Sequence, residues 1–314
     1  MVDDVRRGTA IVFPGMGPSR FEDVARFMLI NSHARSLLAE ADDALGYSLI
    51  DRFRDTPGDY SEFAQVAFLV NCVALARWGE EAHGVDPNYC VGPSFGGKAA
   101  AVSSGALPFA TAVTMTARWA RMLEDYFAHE HRDVVTQSFA RIGGDQLAQI
   151  LVDLDDRGEW CEVSCYVDDD LHMLSLSERM VDWLRERVRG LGGLPLYTMR
   201  PPMHCGAFQP LRDEMAREVF DGIEFADPEI PVVADQDGRL VTSGAGVRDV
   251  LLDGIMRPVR WPEVVHALRR LGVGTLYVSG PDSLFGRVAC TTRNFEVVAV
   301  NPRTALRPLR RAAG

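Results

Sequence analysis

Apolar residues in the first 130 positions fall into two kinds of segment, short continuous runs and longer stretches with helical spacing. The short runs at 9–13 and 89–92 predict buried strands, and each ends in a turn that contains glycine. The longer stretches predict four helices: two with helical spacing of apolar residues at 20–45 and 109–128, a strongly apolar one at 61–78, and one rich in Ala, Gly and Ser that starts at 95–104. Strands that alternate with helices predict an α/β fold with a mainly parallel sheet.

The pattern changes between residues 131 and 199. The elements predicted there are strand 134–142, helix 144–157, strands 161–167 and 171–177, helix 178–190 and strand 194–199. This βαββαβ order is that of a ferredoxin-like unit. The α/β alternation resumes afterwards, with helices at 207–221, 245–255 and 261–271 and strands at 230–234, 274–278 and 296–300. We therefore predict a large α/β subdomain from residues 1–130 and 200–314, with a small ferredoxin-like subdomain, 131–199, inserted into it.

Composition narrows the classes of function. The chain has 314 residues and a net charge of −11, which disfavours nucleic-acid binding. No apolar run reaches the roughly 20 residues of a membrane helix, and the first residues make a poor signal peptide, so we expect a cytoplasmic protein without a membrane partner. The six cysteines lack Cys-x-x-Cys spacing, which predicts free thiols and no metal site. We attribute the single lysine, Lys98, to codon usage and assign it no role.

The segment Gly92-Pro93-Ser94-Phe95-Gly96 lies between a predicted strand and a predicted helix. It has the Gly-x-Ser-x-Gly outline of a nucleophile elbow, a turn so tight that side chains on its flanks would clash. A strand-to-helix turn without a catalytic role would give the same pattern. Ser94 is therefore a candidate nucleophile, and its hydroxyl would need a base.

Of the seven histidines, His204 is the best candidate for that base. Two prolines stiffen the chain just before it and a helix is predicted just after it, so its ring would be held in place as general-base catalysis requires. A second glycine-rich turn follows the strand at 9–13. In an open α/β sheet ligands bind at this edge, so that turn is either part of a binding site or a plain turn.

Several motifs, in this order along the chain, resemble the malonyl-CoA:acyl carrier protein transacylases and the related acyltransferase domains of polyketide synthases. They are Phe13-Pro14-Gly15-Met16-Gly17, Gln65, the elbow at 92–96, the segment 103–113, Met203-His204-Cys205, Arg257-Pro258-Val259-Arg260-Trp261 and Val278-Ser279-Gly280-Pro281. The resemblance spans about residues 9–309. It implies a hydrolase-like α/β core with an inserted ferredoxin-like subdomain, and an acyltransferase with a Ser-His ping-pong mechanism.

The resemblance also implies roles for individual residues. Ser94 would be the acylated nucleophile and His204 its base, oriented by the backbone carbonyl of Gly254. The backbone N–H groups of Met16 and Phe95 would form the oxyanion hole. No metal or bound cofactor is implied beyond the phosphopantetheine arm that the substrate carries.

Two positions depart from the malonyl-specific members of the family. Those members hold the malonyl carboxylate with a histidine before the serine and an arginine on a later helix, and here these positions are Pro93 and Trp119. Arg118 is adjacent, but one residue is a rotation of about 100° on a helix, so its side chain should point elsewhere. We assign the substrate pocket to Gln65, Pro93, Trp119 and Met203 and expect it to take an acyl group without a carboxylate.

We expect a transferase that moves an uncharged acyl group, of aminoacyl or peptidyl type among others. The acyl group would pass between acyl carrier proteins, or from CoA to a carrier protein, in polyketide or hybrid antibiotic biosynthesis. An editing hydrolase of the same family, a malonyl-type transacylase and an inactive docking relative remain as alternatives.

Acidic carrier proteins would need a basic surface on this chain. The candidate arginines are Arg185, Arg187, Arg189, Arg287, Arg307 and Arg310. A solvated basic face explains each of them equally well.

Overall fold

The computed structural model describes residues 8–18, 20–56, 58–281 and 284–306. The strands are β1 (Gly8–Val12), β2 (Tyr89–Val91), β3 (Val134–Ala140), β4 (Cys161–Asp168), β5 (Leu171–Ser177), β6 (Leu194–Met199), β7 (Val232–Val233), β8 (Leu240–Val241), β9 (Val259–Arg260), β10 (Val273–Ser279) and β11 (Glu296–Val300). The helices are α1 (Phe21–Ile30), α2 (Ser32–Leu45), α3 (Leu49–Asp55), α4 (Glu62–His83), α5 (Gly96–Ser103), α6 (Phe109–His129), α7 (Gly144–Asp155), α8 (Val181–Gly190), α9 (Gln209–Glu218), α10 (Gly244–Asp253), α11 (Trp261–Arg270), α12 (Ala289–Thr292) and α13 (Pro302–Ala305).

The larger sheet has the strand order β11-β10-β1-β2-β7-β8. All of its neighbouring strands are parallel except β7 and β8, so the predicted mainly parallel sheet is confirmed. The last residues of β1 and β2, Val12 and Val91, are paired across the sheet. Because parallel strands end at the same edge, the glycine-rich turn after β1 and the elbow after β2 lie side by side.

The smaller sheet has the strand order β6-β3-β5-β4-β9. Its first four strands are antiparallel and enclose α7 and α8 in the order βαββαβ, as predicted. An apolar core joins the sheet to these helices, with Phe139 and Leu174 on the strands and Ile150 and Leu184 on the helices. The fifth strand, β9, comes from beyond residue 200 and pairs in parallel with β4, an extension that the sequence pattern did not predict.

The boundaries of several predicted helices and strands are corrected by the structure. The helix predicted at 20–45 is two helices, because Asn31 is extended (φ −69°, ψ 134°) and its side chain caps α2 by accepting from Ala34 N–H. The helix predicted at 61–78 continues to the left-handed Gly84. Part of the helix predicted at 207–221 is a 3₁₀ turn, Gly206–Phe208, ahead of the shorter α9.

Helix α4 packs against the elbow from within the core. Most of its residues are buried on all sides, which is the pattern of a helix inside the core. Phe68 on this helix packs edge-on against Phe95, with 5.3 Å between ring centroids. The residue after the elbow serine is therefore fixed from within the core. Within the described ranges, no helix is long and apolar enough to cross a membrane.

Candidate active site

The turn after β2 has the geometry of a nucleophile elbow. Ser94 has φ 55°, a left-handed conformation that is uncommon for residues other than glycine and that clusters at functional sites. A Cβ at Gly92 would lie 2.3 Å from Gly96, and a Cβ at Gly96 would lie 1.9 Å from the backbone oxygen of Phe13. Both glycines are therefore required by close backbone approach, as the sequence predicted.

The structure brings Ser94 and His204 together. Ser94 Oγ lies 2.8 Å from His204 Nε2, although the two residues are 110 positions apart. His204 Nδ1 is hydrogen-bonded to the backbone oxygen of Gly254. His204 is also left-handed, with φ 67°, so backbone strain is present at both members of the pair.

The hydrogen bonds of His204 fix its tautomer. A carbonyl oxygen can only accept a hydrogen bond, so Nδ1 is protonated and donates to Gly254 O. Nε2 is therefore unprotonated and accepts a hydrogen bond from the Ser94 hydroxyl. Burial lowers the pKa of His204 to about 4, partly offset by the bond to Gly254. The ring is therefore neutral at physiological pH and ready to take a proton.

The glycine-rich turn after β1 lies against the elbow. A Cβ at Gly15 would lie 3.4 Å from Pro93 O and 3.6 Å from Ser94 Cβ. Met16 and Phe95 both line the cavity next to Ser94. In the part of the chain that the structure describes, no hydrogen-bond acceptor is found for either backbone N–H. These two groups are available to a ligand oxygen at the nucleophile.

Two chambers meet at the Ser94–His204 pair. The first, which we call the acyl cavity, has a volume of about 120 Å³. Its walls are Met16, Tyr60, Gln65, Gly92, Phe95, Gly97, Lys98, Trp119, Leu123, Thr136, Ser164, Met173, Met199, Pro201, Met203, Asp235, Gln236, Val250, Leu251 and Gly254. The second, of about 60 Å³, opens toward β4, β6 and β9. A ligand bound at Ser94 could therefore extend into either chamber.

Three of the four predicted pocket residues line the acyl cavity, and the fourth does not. Gln65, Trp119 and Met203 are in its wall, and Gln65 donates to Tyr60 O at 2.9 Å. Pro93 is buried within the turn, where its carbonyl accepts from Gly96 N–H, and it lines neither chamber. Arg118 is exposed and donates to the backbone oxygen of Glu218, so the prediction that it points away from the pocket is confirmed.

Asp235 is a part of the site that sequence reasoning missed. Its carboxylate accepts from Ser94 N–H at 2.7 Å, and its residue is only 3% exposed. Burial raises the pKa of Asp235 to about 7, against the lowering effect of the bond from Ser94. Because the Ser94 N–H donates to Asp235, this hydrogen bond stabilises the turn and the N–H is not free to bind a ligand.

Replacing Asp235 with asparagine should change how stability depends on pH. A carboxyl with a raised pKa in the folded state stabilises the fold below its unfolded pKa, and this stability is lost as pH rises toward 7. The shift is worth up to about 4 kcal/mol. Asparagine keeps the acceptor for Ser94 N–H, so the fall in unfolding free energy between pH 4 and pH 7 should shrink in Asp235→Asn. Denaturant unfolding at both pH values measures this difference, with the exposed Asp221→Asn as control. An unchanged pH dependence of the unfolding free energy in Asp235→Asn would contradict the assignment.

Lys98 is the second feature that sequence reasoning missed. It is 3% exposed, in the wall of the acyl cavity, and its Nζ lies 4.3 Å from the ring centroid of Phe95 and 4.4 Å from that of Trp119. The available signal was its helical register, since Lys98 is one helical turn beyond Ser94. Codon usage is therefore an insufficient account of this lysine.

The predicted docking arginines do not form one open patch. Arg187 is paired with Asp153 on α7 at 2.6 Å, and Arg185 donates to Gln137 and to Thr198 on the small sheet. Arg189 and Arg287 are exposed. Arg307 and Arg310 lie outside the described residues. Among the described residues no cluster suited to a metal ion is found, and none of the six cysteines forms a disulfide bond.

Comparison with known proteins points to one group of enzymes. The family model described as VinK acyltransferase small domain matches residues 138–199. The malonyl CoA-acyl carrier protein transacylase of Escherichia coli strain K12 is 29% identical over 87% of this chain and 88% of its own length. The enzyme of the same name from Bacillus subtilis strain 168 is 26% identical over 94% and 91%.

Solved structures agree with these sequence matches. A malonyl-transacylase solved in complex with its type II polyketide acyl-carrier protein is 25% identical, with a TM-score of 0.83 over 95% of this chain and 99% of that one. The acyltransferase domain of the second module of the salinomycin polyketide synthase is 22% identical, with a TM-score of 0.79 over 96% of this chain and 72% of that one. The latter match shows a shared fold.

Proposed function

Because the chain belongs to the malonyl-CoA:acyl carrier protein transacylase family, we propose that it transfers an acyl group onto or between acyl carrier proteins through an acyl-Ser94 intermediate. The observation that carries this proposal is the Ser94–His204–Gly254 arrangement in the wall of an acyl cavity. We further propose that the acyl group lacks a free carboxylate and that the carrier proteins belong to a polyketide or hybrid pathway.

The first half-reaction loads the serine. His204 Nε2 takes the proton of Ser94 Oγ while that oxygen attacks the thioester carbon of the donor. The negative charge that forms on the carbonyl oxygen would be held by the N–H groups of Met16 and Phe95, and one such donor is worth about 3 kcal/mol. The carbon–sulfur bond then breaks, and His204 returns the proton to the departing thiolate.

The second half-reaction reverses these steps with a new thiol. The acceptor thiol gives its proton to His204, attacks the acyl-serine carbon and releases Ser94 Oγ, which regains the proton. The phosphopantetheine arm of either carrier protein supplies the thiol. This chemistry requires no metal and no resident cofactor.

The walls of the acyl cavity support an acyl group without a carboxylate. Trp119 is 6% exposed at the position where malonyl-specific members have arginine, and Arg118 does not reach the cavity. Among the described wall residues, Lys98 carries the one ammonium group that could pair with a carboxylate. Asp235 in the same wall is an acid and would not pair with it when ionised. A malonyl carboxylate would lack a bidentate partner there, and a poorly paired buried charge costs several kcal/mol.

A carrier protein is the proposed partner. The solved relative that binds its acyl-carrier protein shares the fold over nearly the whole chain. The small-domain match and the polyketide synthase neighbour support a polyketide or hybrid pathway, whereas the curated relatives named above are malonyl transacylases. We propose that exposed arginines such as Arg189 and Arg287, and not the paired Arg187, contribute to docking.

Malonyl-CoA should acylate Ser94 about 10²-fold more slowly than butyryl-CoA, since two charge-assisted hydrogen bonds of about 1.5–3 kcal/mol each are missing. Intact-protein mass spectrometry after rapid quenching would measure both rates. Arg118→Ala is the matched control, because an exposed arginine that bonds to Glu218 should leave both rates unchanged. A malonyl rate equal to the butyryl rate, or one that falls in Arg118→Ala, would overturn the carboxylate-free assignment.

A further inference from the structure

Lys98 lies in the wall of the acyl cavity and takes no part in the steps described above. It sits on α5, four residues after the nucleophile. The rings of Phe95 and Trp119 contact its Nζ at 4.3 and 4.4 Å. Within the described residues, Nζ has no hydrogen-bond acceptor and no ion-pair partner. The side chain is therefore buried with its hydrogen-bonding capacity unused.

A buried amine without an acceptor is costly, so its presence calls for a partner. The two aromatic faces offset part of the cost of the charge. Burial lowers the pKa of Lys98 to about 7, so the neutral and protonated forms are both accessible near physiological pH. Either form has N–H groups to donate, and the cavity supplies the space in which an acceptor would lie.

Two other polar atoms of the same cavity also lack partners. Tyr60 Oη and Gln236 Oε1 are buried and have no hydrogen-bond partner in the described part of the chain. Both residues line the acyl cavity. A wholly hydrocarbon acyl chain would fill the space and leave all three groups unpaired, which costs about 1–3 kcal/mol for each group. An acceptor oxygen on the chain would pair with Lys98 Nζ or with the Tyr60 hydroxyl, whereas Gln236 Oε1 is itself an acceptor and would need an N–H group, which an amide supplies.

We propose that Lys98 is a specificity-determining residue that donates a hydrogen bond to an uncharged acceptor oxygen of the acyl chain, such as an amide or ketone carbonyl. The enzyme then selects acyl groups that carry such an oxygen over hydrocarbon chains of the same length. This inference rests on the proposed acyl transfer through Ser94 and adds a chemical class to its substrate.

An uncharged oxygen fits this cavity better than a carboxylate. A carboxylate presents two oxygens with about four acceptor sites, and the described wall offers it a single ammonium group, Lys98, which lies between two rings and lacks the planar fork of an arginine. The carboxyl of Asp235 shares the cavity wall and would repel a second negative charge when ionised. A carbonyl oxygen needs one donor and brings no charge to desolvate.

Three donors of equal chain length would test the proposal: hexanoyl pantetheine, the same chain with a ketone at the fifth carbon, and N-acetyl-β-alanyl pantetheine. The wild-type protein should acylate at least about tenfold faster with the two acceptor-bearing chains. Lys98→Met should remove this preference by slowing those two donors and sparing the hexanoyl donor. Arg217→Met, which removes an exposed cation outside the acyl cavity, should keep the preference.

A second measurement does not depend on a Lys98 variant folding. Because Lys98 is the only lysine of the sequence, protein labelled with ¹³C-lysine gives one ε-methylene signal. In labelled Ser94→Ala, which cannot turn over, the acceptor-bearing donors should shift that signal and the hexanoyl donor should not.

The outcomes separate this inference from the proposed function. Equal losses with all three donors in Lys98→Met, or no lysine signal shift on binding, would overturn the role of Lys98 and leave acyl transfer intact. A wild-type preference for malonyl-CoA over all three would instead overturn the proposed carboxylate-free substrate. Absence of any mass gain in the wild-type protein would overturn acyl transfer itself.

Discussion

Ser94→Ala is expected to abolish the mass gain that marks the acyl-enzyme and to lower transfer by at least about 10³-fold. The reason is that Oγ supplies the only bond through which the acyl group is held between the two half-reactions. Ser94 N–H would still donate to Asp235, and alanine keeps the Cβ that serine already has at this left-handed position, so the elbow should persist. Intact-protein mass spectrometry with any productive donor measures the effect, and the melting temperature reports the fold.

Ser164→Ala is the matched control for that experiment. Ser164 lines the same cavity, but its hydroxyl donates to Met173 O at 3.2 Å. The His204 Nε2 atom is hydrogen-bonded to Ser94 instead. The control should acquire the acyl mass at close to the wild-type rate. If Ser94→Ala still gained the mass, a different nucleophile would carry the acyl group and the elbow would be a plain turn.

Elements with strong periodicity were predictable from the sequence. The predicted boundaries of the βαββαβ run lie within two residues of the observed ones at most ends, and its two helices, α7 and α8, each bury one clear face. The two-residue strands β7, β8 and β9 are too short to show any period, so β8 and β9 were missed and β7 was predicted too long. The break at Asn31 was also missed, since apolar spacing continues through both helices that flank it.

The catalytic pair was predictable and its surroundings were not. Ser94 and His204 each stand in a distinctive local segment, a glycine-flanked turn and a proline-stiffened approach. Asp235 and Lys98 have no such segment, and their importance comes from long-range packing that places one against Ser94 N–H and the other between two rings. Pro93 is the opposite: it was predicted to line the pocket because it precedes the nucleophile in sequence, but it lines neither chamber.

His204→Ala should slow both half-reactions by about 10²–10⁴-fold, the usual contribution of a general base. Without Nε2 at 2.8 Å, the Ser94 hydroxyl has no acceptor for its proton and the departing thiolate has no donor. His204 is left-handed, and asparagine tolerates that conformation well, so His204→Asn is a second variant that should keep the backbone and still lose activity. His172→Gln alters another buried histidine, which is bonded to Ile142 O in the small sheet, and should retain full acylation.

The pH profile of single-turnover acylation tests the same assignment in the unmutated protein. A base must be unprotonated to act, and burial lowers the pKa of His204 to about 4, so the rate should fall only as pH drops toward that value. Asp235, with a pKa near 7, lies beside Ser94 N–H and could add its own inflection. Asp235→Asn measured in parallel removes that contribution and leaves the His204 titration alone. The ordinary pKa of imidazole is about 6.5. An inflection near that value in Asp235→Asn would show that the His204 ring is exposed to solvent and that burial does not lower its pKa.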